Sequence, residues 1–499
     1  MDAEAIHRLN GQGIALMERA GAAAFDCITQ IRPRARTLSA IAGRGNNGGD
    51  AYIVARLALE AGWDVRLYPS NPSAPLQGDA AIAKARYEAA GGPILDFIPE
   101  DFEAVEVLVD GLFGTGLDRP IEGHDALIIE AANRYRERGL RHATNRRTLI
   151  ALDIPSGLDA DRGCILGTAI QADHTVTFVQ PKPGLFTGMG PNCAGKIHLS
   201  QIGIESEILR GFKPSAELMG WIQAAPPQRP RESHKGSFGH VLVVGGSPGY
   251  SGAVRLTGEA ALRTGAGLVT VATHPAHAAS LNQERPELMV QGITEAHALD
   301  GLIDKATVVA VGPGLGQTPW AQALLDRVLE TSLPLVIDAD ALNLLTDASP
   351  KRGPWVLTPH PGEAARLLET TSLGIQEDRF LAAHTLAERF DATVVLKGAG
   401  SLIAEAARLT RVIPLGNPGM ASGGMGDVLT GVIASLLAQG MSPFDAATFG
   451  ALLHGGAGDL LALESGERGL LALDLPVAIR QLLNTPSRLC APQWPILLP

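Results

Sequence analysis

The residue types in this sequence that can do chemistry on a charged ligand are gathered in glycine-rich stretches. The clearest is NPGMASGGMGDVLTG, Asn417 to Gly431, followed by the apolar run Val432 to Leu437. Gly423, Gly424 and Gly426 let the backbone fold closely around an oxyanion, and a helix starting there turns its positive end toward it. Asp427 falls at that helix start, where the dipole is expected to keep it ionised. It is a credible general base for a hydroxyl held against a phosphate, with helix capping as the plainer alternative. Upstream, KGAGS (Lys397, Gly398, Ala399, Gly400, Ser401) follows an apolar run and reads as a second phosphate or nucleotide loop. In LTPHPGE, His360 stands between Pro359 and Pro361, which fix its backbone and favour a positioned ligand contact. GPGLG, Gly312 to Gly316, has GxGxG spacing and no acid after a following helix, so it is not a dinucleotide fingerprint.

The first half carries a different set. Leu38 to Ala42 runs into Gly43, Arg44, Gly45, Asn46, Asn47, Gly48, Gly49 and Asp50, with a helix expected from Ala51. Strand, glycine turn and helix start make an anion cradle, and the two amides can read a ligand edge or a cation through their carbonyl oxygens. Asp110 ends another strand before the loop Gly114, Thr115, Gly116, Leu117, Asp118, Arg119 and Pro120. A third strand ends in Asp153, Ile154, Pro155 and Ser156. Ligands of open α/β sheets bind beyond the carboxyl ends of strands, so Asn47, Asp110 and Ser156 are expected in one crevice. All three offer hard oxygen ligands suited to a monovalent or divalent cation. Asp159 and Asp161 read as turn formers. Lys182 follows a further strand and either reaches the same crevice or sits solvated. Gly190, Gly195 and Lys196 match GxxxxGK, but Ile197 stands where a magnesium-binding hydroxyl is needed, which excludes a P-loop.

Short apolar strands alternating with helical stretches must position these residues. Strands are expected at Val65–Tyr68, Val105–Val109 and Thr148–Leu152, with a helix at Ala51–Ala61 and an earlier amphipathic helix holding Ile6, Leu9, Leu16 and Met17. The proline-rich AAPPQRPR, Ala224 to Arg231, breaks the pattern. The rhythm then restarts with strands at His240–Val244, Leu268–Ala272, Thr307–Val311, Leu335–Ile337, Trp355–Leu357 and Thr393–Leu396, and a helix at Gly252–Thr264. This predicts two α/β domains with parallel sheets, at 1–215 and 232–499, joined by a linker at 216–231.

A chain of 499 residues with 45% hydrophobic and 19% charged residues has material for large cores and too little charge for disorder. Its net charge of −11 leaves no basic stripe for nucleic acid or an acidic membrane. The four cysteines, Cys27, Cys164, Cys193 and Cys490, form no CxxC. They are expected as free thiols in a reducing compartment. With no signal-like N-terminus and no run of 18 apolar residues, the chain is expected to be soluble and cytoplasmic.

With these residues in view, NNGGD, VDGLFGTGL and LDIPSGLD resemble the NAD(P)H-hydrate epimerase domain. GGSPGYSGA, GPGLG, LTPHPGE, KGAGS and NPGMASGGMGD resemble the ADP-dependent NAD(P)H-hydrate dehydratase domain, a relative of the ribokinase-like kinases. Their order is that of the bacterial bifunctional nicotinamide nucleotide repair family. The resemblance implies a Rossmann-like three-layer α/β/α domain followed by a ribokinase-like α/β/α domain, the first epimerising hydrated NADH and NADPH and the second dehydrating them with ADP. It places hydrate on Asn46 to Asp50, on Gly114 to Pro120 and on Asp153, and potassium on Asn47, Asp110 and Ser156. In the second domain it places hydrate on Ala253, Gly316, His360 and Asp427. It places the nucleotide, accompanied by magnesium, on Lys397 to Ser401 and Gly426. Asp153 is expected as epimerase proton shuttle with Lys182, and the chain as a homo-oligomer. Met425 departs from the small residue common in the related kinases, and the stretch before ALMERAG is shorter than is usual in the family. The competing reading is a ribokinase-like small-molecule kinase fused to a nucleotide-binding or sensor domain.

Overall fold

The computed structural model describes residues 13–98, 102, 105–140, 147–220, 229–485 and 496–497. Ile6, Leu9, Cys490 and most of AAPPQRPR lie outside them. The chain divides into one unit ending at Pro214, which also takes in the short terminal strand Ile496–Leu497, and another beginning at Ser215.

In the first unit, β1 (Thr37–Ala42), β2 (Asp64–Pro69), β3 (Val107–Gly111), β4 (Thr148–Leu152), β5 (His174–Phe178) and β6 (Lys196–Ser200) form a sheet with the terminal strand. The order is Ile496–Leu497, β6, β5, β4, β3, β1, β2, with every pair parallel. The central strands β1, β3 and β4 are mostly apolar, as expected where both faces are covered. Leu38, Ala40, Val107, Val109 and Ile150 pack on the helices Gly13–Ile31, Asn46–Glu60 and Gly78–Ala89. Their neighbours Ile41, Leu108, Leu149 and Ala151 pack on Gly123–Leu140. The result is a three-layer α/β/α unit.

Among the described residues the second unit has ten strands: β7 (Ala216–Leu218), β8 (His240–Val244), β9 (Leu268–Thr273), β10 (Met289–Gly292), β11 (Val308–Val311), β12 (Leu335–Ile337), β13 (Trp355–Leu357), β14 (Thr393–Leu396), β15 (Ser401–Ala404) and β16 (Thr410–Ile413). Their order is β10, β9, β8, β11, β12, β13, β14, β15, β16, β7. β15 runs antiparallel to both its neighbours, and the other pairs are parallel. Residues 216–218, expected in a linker, are thus an edge strand; three residues are too short to show a strand period. One face of the sheet is covered by Ser251–Thr264, Met425–Ala438, Pro443–Ser465 and Leu475–Asn484. Pro319–Leu329 and Arg379–Phe390 pack on β11, β14 and β15 without joining that cluster.

Pro443–Ser465 has the length and hydropathy of a membrane span, but two-thirds of it is buried and it packs on β13 to β16. Here it is a core helix. Cys27 and Cys193 are buried free thiols, and Cys164 is partly buried.

Two helices of the second unit lie unusually close. A Cβ on Gly424 would meet Leu256, one on Gly431 would sit 2.1 Å from the Thr257 carbonyl oxygen, and Gln439 Nε2 donates to Thr264 O. Contacts that advance together along both helices mean they run in the same direction, so both N-termini open at one end of the sheet. Gly431→Ala should therefore cost about 1–3 kcal/mol through overpacking. The urea midpoint of the second unit reads this, and an unchanged midpoint would contradict so close an approach.

Candidate functional sites

In the first unit the glycine-rich segment after β1 is helix rather than loop. Asn46 to Asp50 form the first turns of Asn46–Glu60, with Gly45 as the capping residue. The helix starts earlier than expected because Gly48 packs its backbone on the Gly43 carbonyl, where a Cβ would come within 2.0 Å. The backbone donors therefore sit where the helix dipole concentrates positive potential.

Asn47, Asp110 and Ser156 are joined through the backbone of one residue, Phe113. Asn47 Nδ2 donates to Phe113 O at 2.7 Å, and Phe113 N donates to Ser156 Oγ at 2.8 Å. Ser156 Oγ donates to Asp110 Oδ1 at 2.6 Å and Ser156 N to Asp110 Oδ2 at 2.8 Å. Asp110 also accepts from Leu112 N at 3.1 Å. Burial pushes its carboxyl up to about 6, against the pull of these hydrogen bonds. Asn47 Oδ1 is buried with no hydrogen-bond partner. A buried, unsatisfied amide oxygen in an oxygen-rich web is what a hard cation requires.

Above this web opens a cavity of about 1150 Å³. Asn46, Asn47, Asp50, residues 114–119, Asp153 and Lys182 line it, while Gly48, Gly49 and Pro120 do not. Arg44, Met17, His124 and Phe178 also line it and are not among the expected ligand contacts. Asp153 follows β4 with φ of 61°, the left-handed region, which aspartate tolerates better than most residues. Its Oδ1 accepts from Lys182 Nζ, and Lys182 also donates to Phe178 O at 2.8 Å and Thr177 Oγ1 at 3.1 Å. Of the two readings open for Lys182, the crevice is the one observed. Lys196 opens β6 as an exposed residue, in keeping with the rejected P-loop.

In the second unit the carboxyl ends of β8, β11, β12, β13 and β14 meet the two helix N-termini. Asp338, directly after β12, is 1% exposed. Its Oδ1 accepts from Lys397 Nζ at 2.9 Å and its Oδ2 from Thr430 Oγ1 at 2.7 Å. Glu363 Oε2 lies 3.8 Å from the same ammonium. Lys397 therefore faces buried carboxylates. Burial opposes its charge, but Asp338, then Glu363 and Asp427, outweigh it and raise its pKa. Burial likewise works to raise Asp338, yet Lys397 and the bonds from Thr430, Lys397 and Thr358 bring it below the ordinary carboxylate range.

Asp427 lies in the first turn of Met425–Ala438. The dipole is expected to keep it ionised, but its surroundings work the other way. Burial, followed by the negative charge of Asp338, pushes it up to about 7, with Lys397 opposing and Asp340 adding to the rise. Burial takes Glu363 to about 7 as well. A carboxylate poised near neutrality is better matched to proton transfer than one fully ionised.

The remaining residues are placed as follows. His360 is the N-cap of Pro361–Leu367: its Nδ1 accepts from Gly362 N at 2.9 Å, and Glu363 Oε2 accepts from His360 N at 2.8 Å. Its ring is largely exposed, with Nε2 3.4 Å from Glu363 Oε1. Ala253 is in the first turn of Ser251–Thr264, and Gly316 N donates to Asp340 Oδ2 at 2.8 Å. Gly398 to Gly400 form the turn between β14 and the antiparallel β15, and Ser401 opens β15. The buried Arg379 braces this turn, donating to Leu396 O and Lys397 O and filling the space a Gly398 side chain would need. Met425 turns its side chain into the core, and its carbonyl meets His454 Nε2 at 2.9 Å, so it leaves the glycine backbone open. Asp338, Glu363, Thr430, His454 and Arg379 were missed from the sequence. For Asp338 the available signal was an acid directly ending an apolar strand, as at Asp110.

A family model described as NAD(P)H-hydrate dehydratase matches residues 241–481, and one described as YjeF-related protein N-terminus matches 13–184. The chain is 45% identical over 474 residues to the bifunctional NAD(P)H-hydrate repair enzyme of Coxiella burnetii, covering 94% of each chain. To that of Escherichia coli it is 43% identical, covering 94% of this chain and 89% of the relative. The crystal structure of the Bacillus subtilis ADP/ATP-dependent NAD(P)H-hydrate dehydratase, co-crystallised with ATP and Mg2+, superposes with a TM-score of 0.51 at 31% identity. It covers 54% of this chain and 98% of that one.

Proposed function

The chain belongs to the family of bifunctional NAD(P)H-hydrate repair enzymes, an epimerase domain followed by an ADP-dependent dehydratase domain, and from that premise we propose how its own residues share the work. The unit up to about residue 215 interconverts the R and S forms of hydrated NADH and NADPH, and the following unit returns the S form to NAD(P)H. The observation that carries the second assignment is Asp427, held near neutrality at a helix N-terminus beside a buried ammonium.

The hydrate bears a hydroxyl, and hydroxide is a poor leaving group. Asp427 takes the hydroxyl proton as its oxygen attacks the terminal phosphorus of ADP. The phosphorus–oxygen bond to the α-phosphate breaks and AMP leaves. The amides of Gly423 to Gly426 offset charge on the transferred group. The carbon–oxygen bond of the phosphate ester then breaks, phosphate leaves with the bonding pair, and the adjacent carbon loses a proton to solvent to restore the double bond. Ala253, Gly316 and His360 are the proposed hydrate contacts, and residues 398–401 with Gly426 the nucleotide contacts. Lys397, its ammonium turned inward, acts from beneath. Among the described residues no group of three or more His, Cys, Asp or Glu is arranged to hold a metal. Magnesium would be held chiefly by the nucleotide phosphates and would supply positive charge there.

In the first unit, Asp153 moves the proton and Lys182 fixes its carboxylate, with hydrate lying on Asn46, Asn47, Asp50 and residues 114–119. Potassium fits Asn47 Oδ1, Asp110 and Ser156, where it would supply fixed positive charge and rigidity to the loops. A cytoplasmic location and a homo-oligomer complete the reading; fractionation and light scattering test them. A ribokinase-like kinase with a sensor domain leaves the Asp153–Lys182 pair without a task.

Asp427→Asn should abolish ADP-driven recovery of reduced cofactor from S hydrate, by about 10²–10⁴-fold, while epimerisation continues. In the unsubstituted enzyme kcat/KM for dehydration should fall as pH drops through about 7, because the base must be unprotonated. Near-normal turnover by the variant would refute the assignment. Separately, Asp110→Ala should reduce the potassium stimulation of epimerisation and leave dehydration unchanged. Equal rates in potassium and sodium for the unsubstituted enzyme would remove the cation from the account.

A further inference from the structure

Asp338 belongs to none of the glycine-rich motifs, yet both its oxygens are committed to the dehydration site. Oδ1 holds Lys397, which follows β14, and Oδ2 holds Thr430, one helical turn beyond Asp427. Building on the reading of Asp427 as base, we propose that Asp338 is a positioning residue for dehydration. It holds the Lys397 ammonium beneath the first turn of Met425–Ala438 at Gly426, where that charge faces the transferred phosphoryl group.

Three features of the geometry carry this. A Cβ on Gly426 would lie 3.3 Å from Lys397 Nζ and 3.7 Å from Asp338 Oδ2, so the ammonium lies directly against the helix backbone at this residue. Lys397 is pinned at its other end, where its backbone N donates to Pro359 O at 2.9 Å, so only the head of the side chain can choose between partners. Glu363, at 3.8 Å, is the competing carboxylate. With Asp338 neutralised, the ammonium is drawn toward Glu363 and away from Gly426.

The backbone is also shaped for the task. Asp338 N donates to Val311 O at 3.1 Å, and Ala339 follows with φ of 50°, a conformation unfavourable to alanine. That turn presents the carboxylate inward at the end of β12.

The charged groups acting on Asp427 are Asp338 and Asp340 from the β12 end and Lys397 from the β14 end. Glu363 and His360 from the β13 end act on Lys397 and Asp338, and His454 meets the Met425 carbonyl. His454 is held to about 4 by burial and stays neutral in the working range. Of the anionic neighbours, Asp338 contributes most to raising Asp427, so removing its charge moves the acid limb of the reaction to lower pH.

The test uses the full chain, S hydrate and ADP, with Asp338→Asn, Lys397→Met and the double variant. Asp338→Asn should lower kcat by about 100-fold, with KM for ADP within about threefold, and shift the acid limb of kcat/KM downward. In the Lys397→Met background the same change should add little, because Asp338 acts through the ammonium. Near-normal kcat in Asp338→Asn would overturn the proposal. So would losses that multiply in the double variant, or an acid limb that does not move. Should Asp338→Asn fail to fold, Thr430→Val, which frees only Oδ2, should still lower kcat by about tenfold, and full activity there would count against the proposal. Retained dehydration in Asp427→Asn sinks the base assignment, whatever Asp338→Asn shows.

Discussion

A single buried ammonium set against several carboxylates governs the second unit. Isolated in the interior, Lys397 would shed its proton, and Asp338 and Glu363 would be costly charges. Together they stay ionised at Lys397 and Asp338, while burial, with the negative charge of Asp338 adding to it, raises Glu363 and Asp427. Proton affinity at the reacting end is thus a product of the whole cluster. Its members come from the ends of β12, β13 and β14 and from the start of a helix, so nothing less than the folded sheet assembles it.

The first unit solves a related problem without a central cation of its own. Asp110 is buried and leaning toward neutrality, Ser156 is spent on it, and Phe113 carries the connection to Asn47. The one oxygen left over, Asn47 Oδ1, defines where an external charge would be welcome. The proposed proton-moving pair, Asp153 and Lys182, stands apart on the wall of the cavity. A rigid floor and a separate proton-moving pair suit an epimerase. An ammonium beneath an anion hole suits phosphoryl transfer.

Much of this was legible in the chain. The alternation of apolar runs located most central strands to within a residue or two, because fully buried parallel strands are continuous apolar segments. The edge strands Ala216–Leu218 and Met289–Gly292 and the hairpin strands β15 and β16 were not seen, being three or four residues long with no period to show. Glycine made Asn46 to Asp50 look like loop, since a helix start packed tightly on a neighbouring backbone needs the same residues as a turn. Asp427 was recognised from its glycines, but its charge state was misjudged. The dipole is local and visible in sequence, whereas Asp338 reaches it only through the fold. Asp338 itself was passed over in LVIDAD although it ends an apolar strand as Asp110 does. His360 was found for its prolines, and its capping bond with Glu363 accounts for part of that rigidity.

The account stands on Lys397 remaining an ammonium inside the protein. Following its Cε carbon by NMR through the pH range of ordinary lysines, with the Lys397→Arg protein to assign the signal, reads this directly. The cluster predicts a midpoint above the ordinary value of 10.5. A midpoint well below it would mean that burial outweighs the carboxylates, and the electrostatic arrangement described for the second unit would be wrong.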